Sequence, residues 1–233
     1  MKRIVILILL LSLIGQSHGQ KREKVVVPFL TNVTLDADLS EWSLLNKVGV
    51  DEGWSYQIGY DRENVYFAVE VKDHDLQNLA IRYGVGISFL RNSRKEKDQQ
   101  FIYPCLDQET LRALRSEGEE PDMNRSLIKR VRGYYVRGLR DIPDGLLSFQ
   151  NNYGLQAVVK TLDDKLWYEA VVPRKQLLST DGLLVIKLEI NEVFSLRSGA
   201  VSKRPATMTR RTVLKKDMNK TPRQVIVETI LDQ

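Results

Sequence analysis

Residues 54–71 read WSYQIGYDRENVYFAVEV. Trp54, Tyr56, Ile58 and Tyr60 alternate with Ser55, Gln57 and Gly59. After the polar link Asp61-Arg62-Glu63-Asn64, Val65, Phe67, Val69 and Val71 alternate with Tyr66, Ala68 and Glu70. Successive side chains of a strand point to opposite faces, so a period of two marks a half-buried strand. Two such runs around a short polar link spell a β-hairpin. Val65, Phe67, Val69 and Val71 are expected to face inward.

The same period continues on both sides. Residues 25–30 form an apolar run broken by Pro28, a pattern that an edge strand tolerates. Further strands are expected over 85–90, 99–103, 127–136, 153–160, 165–172, 183–190 and 225–231, with Leu162-Asp163-Asp164 as a turn between two of them. Helical stretches are few: 110–115 ahead of the polar GEEPD, and 175–178 just after Pro173. The expected fold is an all-β, antiparallel two-sheet β-sandwich of about ten strands with one or two short helices. Residues 105–125 and 197–223 hold too few apolar residues for a core of their own and read as loop insertions. One domain over 20–233 is therefore expected.

Met1, Lys2 and Arg3 precede an apolar run of 11 residues, 4–14, and then small and polar residues with Ser17 and Gly19. That order matches a signal peptide over 1–19, cut before Gln20. The run is too short for a spanning helix, which needs about 20 residues. The expected location is exported: periplasmic, cell-surface or secreted, with no membrane span. Charge is uneven. Residues 201–223 hold eight Lys or Arg against one Asp, whereas 20–200 carry a net −2. The high pI of about 9.2 thus comes from one segment, and a general nucleic-acid-binding character is not expected. Cys105 is the only cysteine and sits among aromatics in FIYPCL, so no disulfide staples the fold and a buried, inert thiol is expected.

Few residues offer catalytic chemistry. His74 is the one histidine after residue 19, and neither GxSxG nor HExxH occurs. Two carboxylates would suffice for glycoside hydrolysis, but nothing singles out a pair among 30 acidic residues. Asp36 and Asp38 lie two apart in a turn, and Asp73-His74-Asp75 ends a strand. Such loop carboxylates either hold calcium or cap turns through their own backbone. Trp54, Trp167 and Tyr168 could stack on the apolar face of a sugar ring, or pack in the core. Trp167 and Tyr168 are adjacent in a strand, so they face opposite sides. The Tyr134-Tyr135 pair poses the same choice.

Four segments, in this order, resemble the family 9 carbohydrate-binding modules and their wider sandwich superfamily. They are VTLDADLSEW (33–42), IGYDRENVYFAVEVKD (58–73), GVGISF (84–89) and LWYEAVVP (166–173). Ala37 stands where the family has glycine, and the basic segment 201–223 has no counterpart. The resemblance implies a non-catalytic carbohydrate-binding β-sandwich whose partner is a plant-type or other β-linked oligo- or polysaccharide. It implies a structural calcium ion near Asp36, Asp38 and Asp73. Sugar contacts would fall to Trp54, Trp167 and Tyr168. The same superfamily includes glycosidase accessory domains, and haem-binding carriers for which Met123, Met208, Met218 and His74 are the available axial groups. The alternatives are therefore an accessory or catalytic role in glycan hydrolysis, and a haem-binding or structural surface role.

Overall fold

A computed structural model describes residues 22–42, 44–49, 52–91, 98–107, 109–111, 113, 123–177, 182–192 and 222–231. The signal segment 1–19, residues 112, 114 and 115 of the expected 110–115 helix and the basic segment up to residue 221 lie outside the described residues. The strands are β1 (Glu23–Lys24), β2 (Asn46–Val48), β3 (Trp54–Tyr60), β4 (Asn64–Val71), β5 (Val85–Phe89), β6 (Gln99–Tyr103), β7 (Gly133–Arg137), β8 (Gly145–Ser148), β9 (Gln156–Leu162), β10 (Lys165–Pro173), β11 (Leu183–Ile190) and β12 (Gln224–Ile230). They form a seven-stranded sheet ordered β1-β12-β11-β5-β6-β7-β8 and a five-stranded sheet ordered β2-β3-β4-β10-β9. The all-β sandwich is therefore as expected. All pairs of strands are antiparallel except β1 with β12, which is parallel.

The 54–71 hairpin forms in the expected register, with Tyr60 opposite Val65 and Trp54 opposite Val71. Its link is closed by Asp61, whose Oδ1 accepts the N–H groups of Glu63 at 2.7 Å and Asn64 at 2.6 Å. Val65, Phe67, Val69 and Val71 are wholly buried between the sheets, with Ile87, Phe101 and Ile186 opposite in the same core. Each such burial stabilises by about 1.5–3 kcal/mol. Burial also pushes the Cys105 thiol up to about 12, and the cysteine is free and buried as expected.

Pro28 explains why 25–30 is not one strand. Val25 donates to Glu228 O of β12, and then the chain crosses to the other sheet, where Tyr60 donates to Pro28 O and Leu30 donates to Tyr60 O. Two helices depart from expectation. α1 (His74–Tyr83) stands where no helix is expected. Asp73 caps it by accepting from Leu76 N at 2.8 Å, and Leu76, Ala80 and Ile81 form its buried stripe. It ends at Gly84, whose φ of 89° and close approach to Pro104 O leave no room for a Cβ. The expected strand 127–136 divides. Its first part belongs to α2 (Met123–Arg130), where Leu127 is buried, with Val131 buried just past the helix end, and β7 begins only at Gly133. The chain Arg174–Gln176 makes a single 3-10 turn after Pro173, close to the expected short helix. Glu109–Leu111 are helical behind an Asp107 cap at 2.7 Å to Thr110 N.

Candidate site on the outer face of the five-stranded sheet

The pleat decides which side chains leave the core. On β10, Leu166, Tyr168, Ala170 and Val172 point inward, so Lys165, Trp167, Glu169 and Val171 point outward. Their outward neighbours are Tyr66, Ala68 and Glu70 on β4, and Val158, Lys160 and Leu162 on β9. Part of this face is covered by residues 30–42 and 44–45. Leu30 lies over Gly59, where a Cβ would come within 2.1 Å of Leu30 Cδ1, so any larger residue would have to displace the leucine side chain. Leu39 and Trp42 pack on the fully buried Ala68, and Leu30, Val33, Leu45, Tyr66 and Trp167 complete this second apolar cluster.

Glu169 holds the cover in place. Its Oε2 accepts from Asp36 N at 3.0 Å and Ala37 N at 2.7 Å, and its Oε1 accepts from Trp42 Nε1 at 2.7 Å. The carboxyl is completely buried, and burial raises its pKa above the ordinary value against the pull of these donors. Ala37 takes the left-handed backbone, φ 55°, that the glycine of the resembled motif would favour. Gln57 Oε1 accepts from Leu44 N, and Glu41 Oε1 from Thr34 N, which pins the remainder of the cover.

Trp167 stands at the rim where the cover ends. One side packs on the Leu39–Trp42 cluster, and the residue is only partly buried. Its Nε1 is buried and has no hydrogen-bond acceptor among the described residues. Directly across on β4 is Glu70, and directly across on β9 is Lys160. Glu70 Oε1 meets Lys165 Nζ at 2.7 Å, and Oε2 meets Ser55 Oγ at 3.2 Å and Lys72 Nζ at 3.6 Å. Partial burial pushes the Glu70 carboxyl up, but Lys165, Lys72 and Ser55 outweigh it and hold the pKa below the ordinary value. A half-open indole bordered by ionic and hydrogen-bonding groups can receive a molecule with one apolar face and a polar periphery.

The other two aromatic candidates are corrected by their burial. Trp54 is fully buried, and its Nε1 donates to Pro222 O at 2.7 Å. Tyr168 is fully buried beside Tyr103, with its hydroxyl unpartnered and its pKa pushed well above the ordinary value by burial. Neither presents a ring face to solvent. Tyr134 also faces inward, whereas its neighbour Tyr135 is only partly buried.

The three aspartates are not gathered into a metal site. Among the described residues no group of three or more His, Cys, Asp or Glu is placed to hold an ion. Each carboxylate instead takes a backbone N–H. Asp36 Oδ1 accepts from Asp38 N at 2.8 Å, Asp38 Oδ1 from Ser40 N at 3.0 Å, and Asp73 Oδ1 from Leu76 N at 2.8 Å. The residues present do not fit the calcium ion that the resemblance implies.

Glu169, Glu70 and Lys160 were not singled out by sequence. Glu169 had a signal, as the one charged residue in the run LWYEAVVP and part of the resembled strand motif. Glu70 and Lys160 had none, because pairing across strands is not written in local sequence. Among the described residues, no helix is long and apolar enough to cross a membrane.

No family model and no curated protein matches the chain. Two solved structures of a family 9 carbohydrate-binding module from Caldicellulosiruptor kristjanssonii, one in complex with glucose and one with cellotriose, are similar to it. Both show 12% identity and a TM-score of 0.41 over 74% of this chain, covering 80% and 78% of theirs.

Proposed function

We propose that this chain is a non-catalytic carbohydrate-binding protein that stacks a β-linked glycan on Trp167. The ordered motifs between residues 33 and 173 support the carbohydrate reading. The observation that carries the choice of site is the position of Trp167: of the aromatic candidates Trp54, Trp167 and Tyr168, it alone lies on an outer face, at the edge of a covering loop and between charged neighbours. Pyranose rings have apolar CH faces and hydroxyl rims, which match an indole plate bordered by Lys and Glu. Export, which the order of the first 19 residues leads one to expect, brings the protein to such polymers.

Glycan-array screening followed by calorimetry with wild type and Trp167→Ala tests this. An aromatic plate under a stacked ring is worth about 1–3 kcal/mol, by analogy with bases stacked on aromatics. That corresponds to a loss of roughly five- to 150-fold in affinity, with the melt largely unchanged. Full binding by Trp167→Ala, or no glycan bound by wild type, overturns the proposal.

A further inference from the structure

We infer that the Trp167 face selects an anionic saccharide, one that carries a carboxylate on the ring stacked there. This inference rests on the carbohydrate reading above and adds the charge of the ligand. The carboxylates around Trp167 are already committed within the protein. Glu169 is withdrawn from the surface and accepts three N–H groups of the covering loop. Glu70 is shared between Lys165, Lys72 and Ser55. Lys160 is not committed in this way. It is exposed, lies directly opposite Trp167 on the adjacent strand, and forms no ion pair among the described residues. Directly opposed side chains on one sheet face have Cβ atoms roughly 5 Å apart, so the ammonium reaches the rim of any ring laid on the indole.

The other charge that faces Lys160 belongs to Asp38. Its carboxylate caps Ser40, which is the main reason its pKa is lowered, and Lys160 adds only a minor pull. Leu162, 52% exposed on the same face of β9, extends the apolar floor past Lys160. The surface offered to a ligand is thus an apolar strip with an available cation at its side. A neutral sugar would leave that cation with only its minor pull on Asp38 and water. A uronic acid would place its carboxylate against it.

Two ligands that differ only at C6 isolate the charge: cellohexaose, and the β-1,4-linked hexamer of glucuronic acid. Binding of each to wild type, Trp167→Ala and Lys160→Gln is measured by calorimetry at low and at high salt. An exposed ion pair contributes up to about 1 kcal/mol, or about fivefold in affinity. Wild type is expected to bind the acidic hexamer about fivefold more tightly, with the gap closing at high salt as screening shortens the range of the interaction. Lys160→Gln should abolish the gap by weakening the acidic hexamer several-fold more than cellohexaose, whose hydroxyls the amide can still bond. Equal binding of both hexamers by wild type, lost in Trp167→Ala, overturns the charge preference while the carbohydrate site stands. A preference that persists in Lys160→Gln also overturns it. Binding of neither hexamer overturns it too, and a blank glycan array would then overturn the carbohydrate reading as well.

Discussion

Glu169 is the residue on which the outer face depends. One carboxylate organises the covering loop through two backbone N–H groups and the Trp42 indole, in a place where water does not reach. Burial raises its pKa, so the folded chain holds the proton more tightly than the unfolded chain does. The stability contributed by this group is therefore full below its ordinary unfolded value of 4.5 and is lost as pH rises through the raised folded value. Glu169→Gln removes the titration. The stability difference between wild type and Glu169→Gln, from urea midpoints over about pH 4 to pH 8, is expected to move against wild type as pH rises. A difference that moves toward wild type would mean that the three donors outweigh desolvation and that the pKa is lowered. Trp54 illustrates the opposite fate of an aromatic residue. Its removal would open a core cavity, at about 3–5 kcal/mol for Trp→Ala, so loss of binding there would only report unfolding.

Among the elements, α1 has a short helix signal in competition with others. The sequence DHDLQNLAIRYG carries a cap, an apolar stripe and a terminal glycine, but it follows a strong strand run and contains Asp-His-Asp, which also reads as a ligand cluster. The structure gives Asp73 to the helix. An N-cap contributes about 1 kcal/mol, and Asn caps about as well as Asp. Asp73→Ala should therefore lower the melting temperature by about 2–4 °C, while Asp73→Asn stays near wild type. An Asn variant as unstable as the Ala variant, measured by thermal denaturation, would show that the negative charge matters beyond the cap. The hairpin elements were easier to read. The turn between β9 and β10 places Asp163 at φ 51° and Asp164 at φ 56°, as expected of a two-residue link between antiparallel strands.

For the whole molecule, the inward faces of the two sheets share one apolar core, and β4 lies at the centre of the five-stranded sheet. Val69 on β4 is completely buried. Val69→Asp forfeits about 1.5–3 kcal/mol of burial and adds an unpaired charge that costs several kcal/mol more. Domains are commonly stable by only about 5–15 kcal/mol, so this variant should unfold or nearly so. Circular dichroism and a thermal melt check it, with Val69→Ala as the graded control. A cooperative wild-type melt for Val69→Asp would place that side chain on the solvent face.

The alternation of 54–71 determined the hairpin, its register and its inward face by itself, because a strand has only two faces and a one-residue slip would bury every polar partner. The strands at 99–103 and 183–190 were legible for the same reason. Sequence also separated Trp167 from Tyr168 onto opposite faces. It did not say which face was inside, since both residues are large and largely apolar. Only the tertiary structure decided that, through the pairing of β10 between β4 and β9 and the loop that covers part of the outer surface. Glu70, Lys160 and Lys165 meet around Trp167 from three strands spread over 95 positions of the chain. A site assembled across strands depends on register and closure of the sheet, which no local stretch of residues encodes.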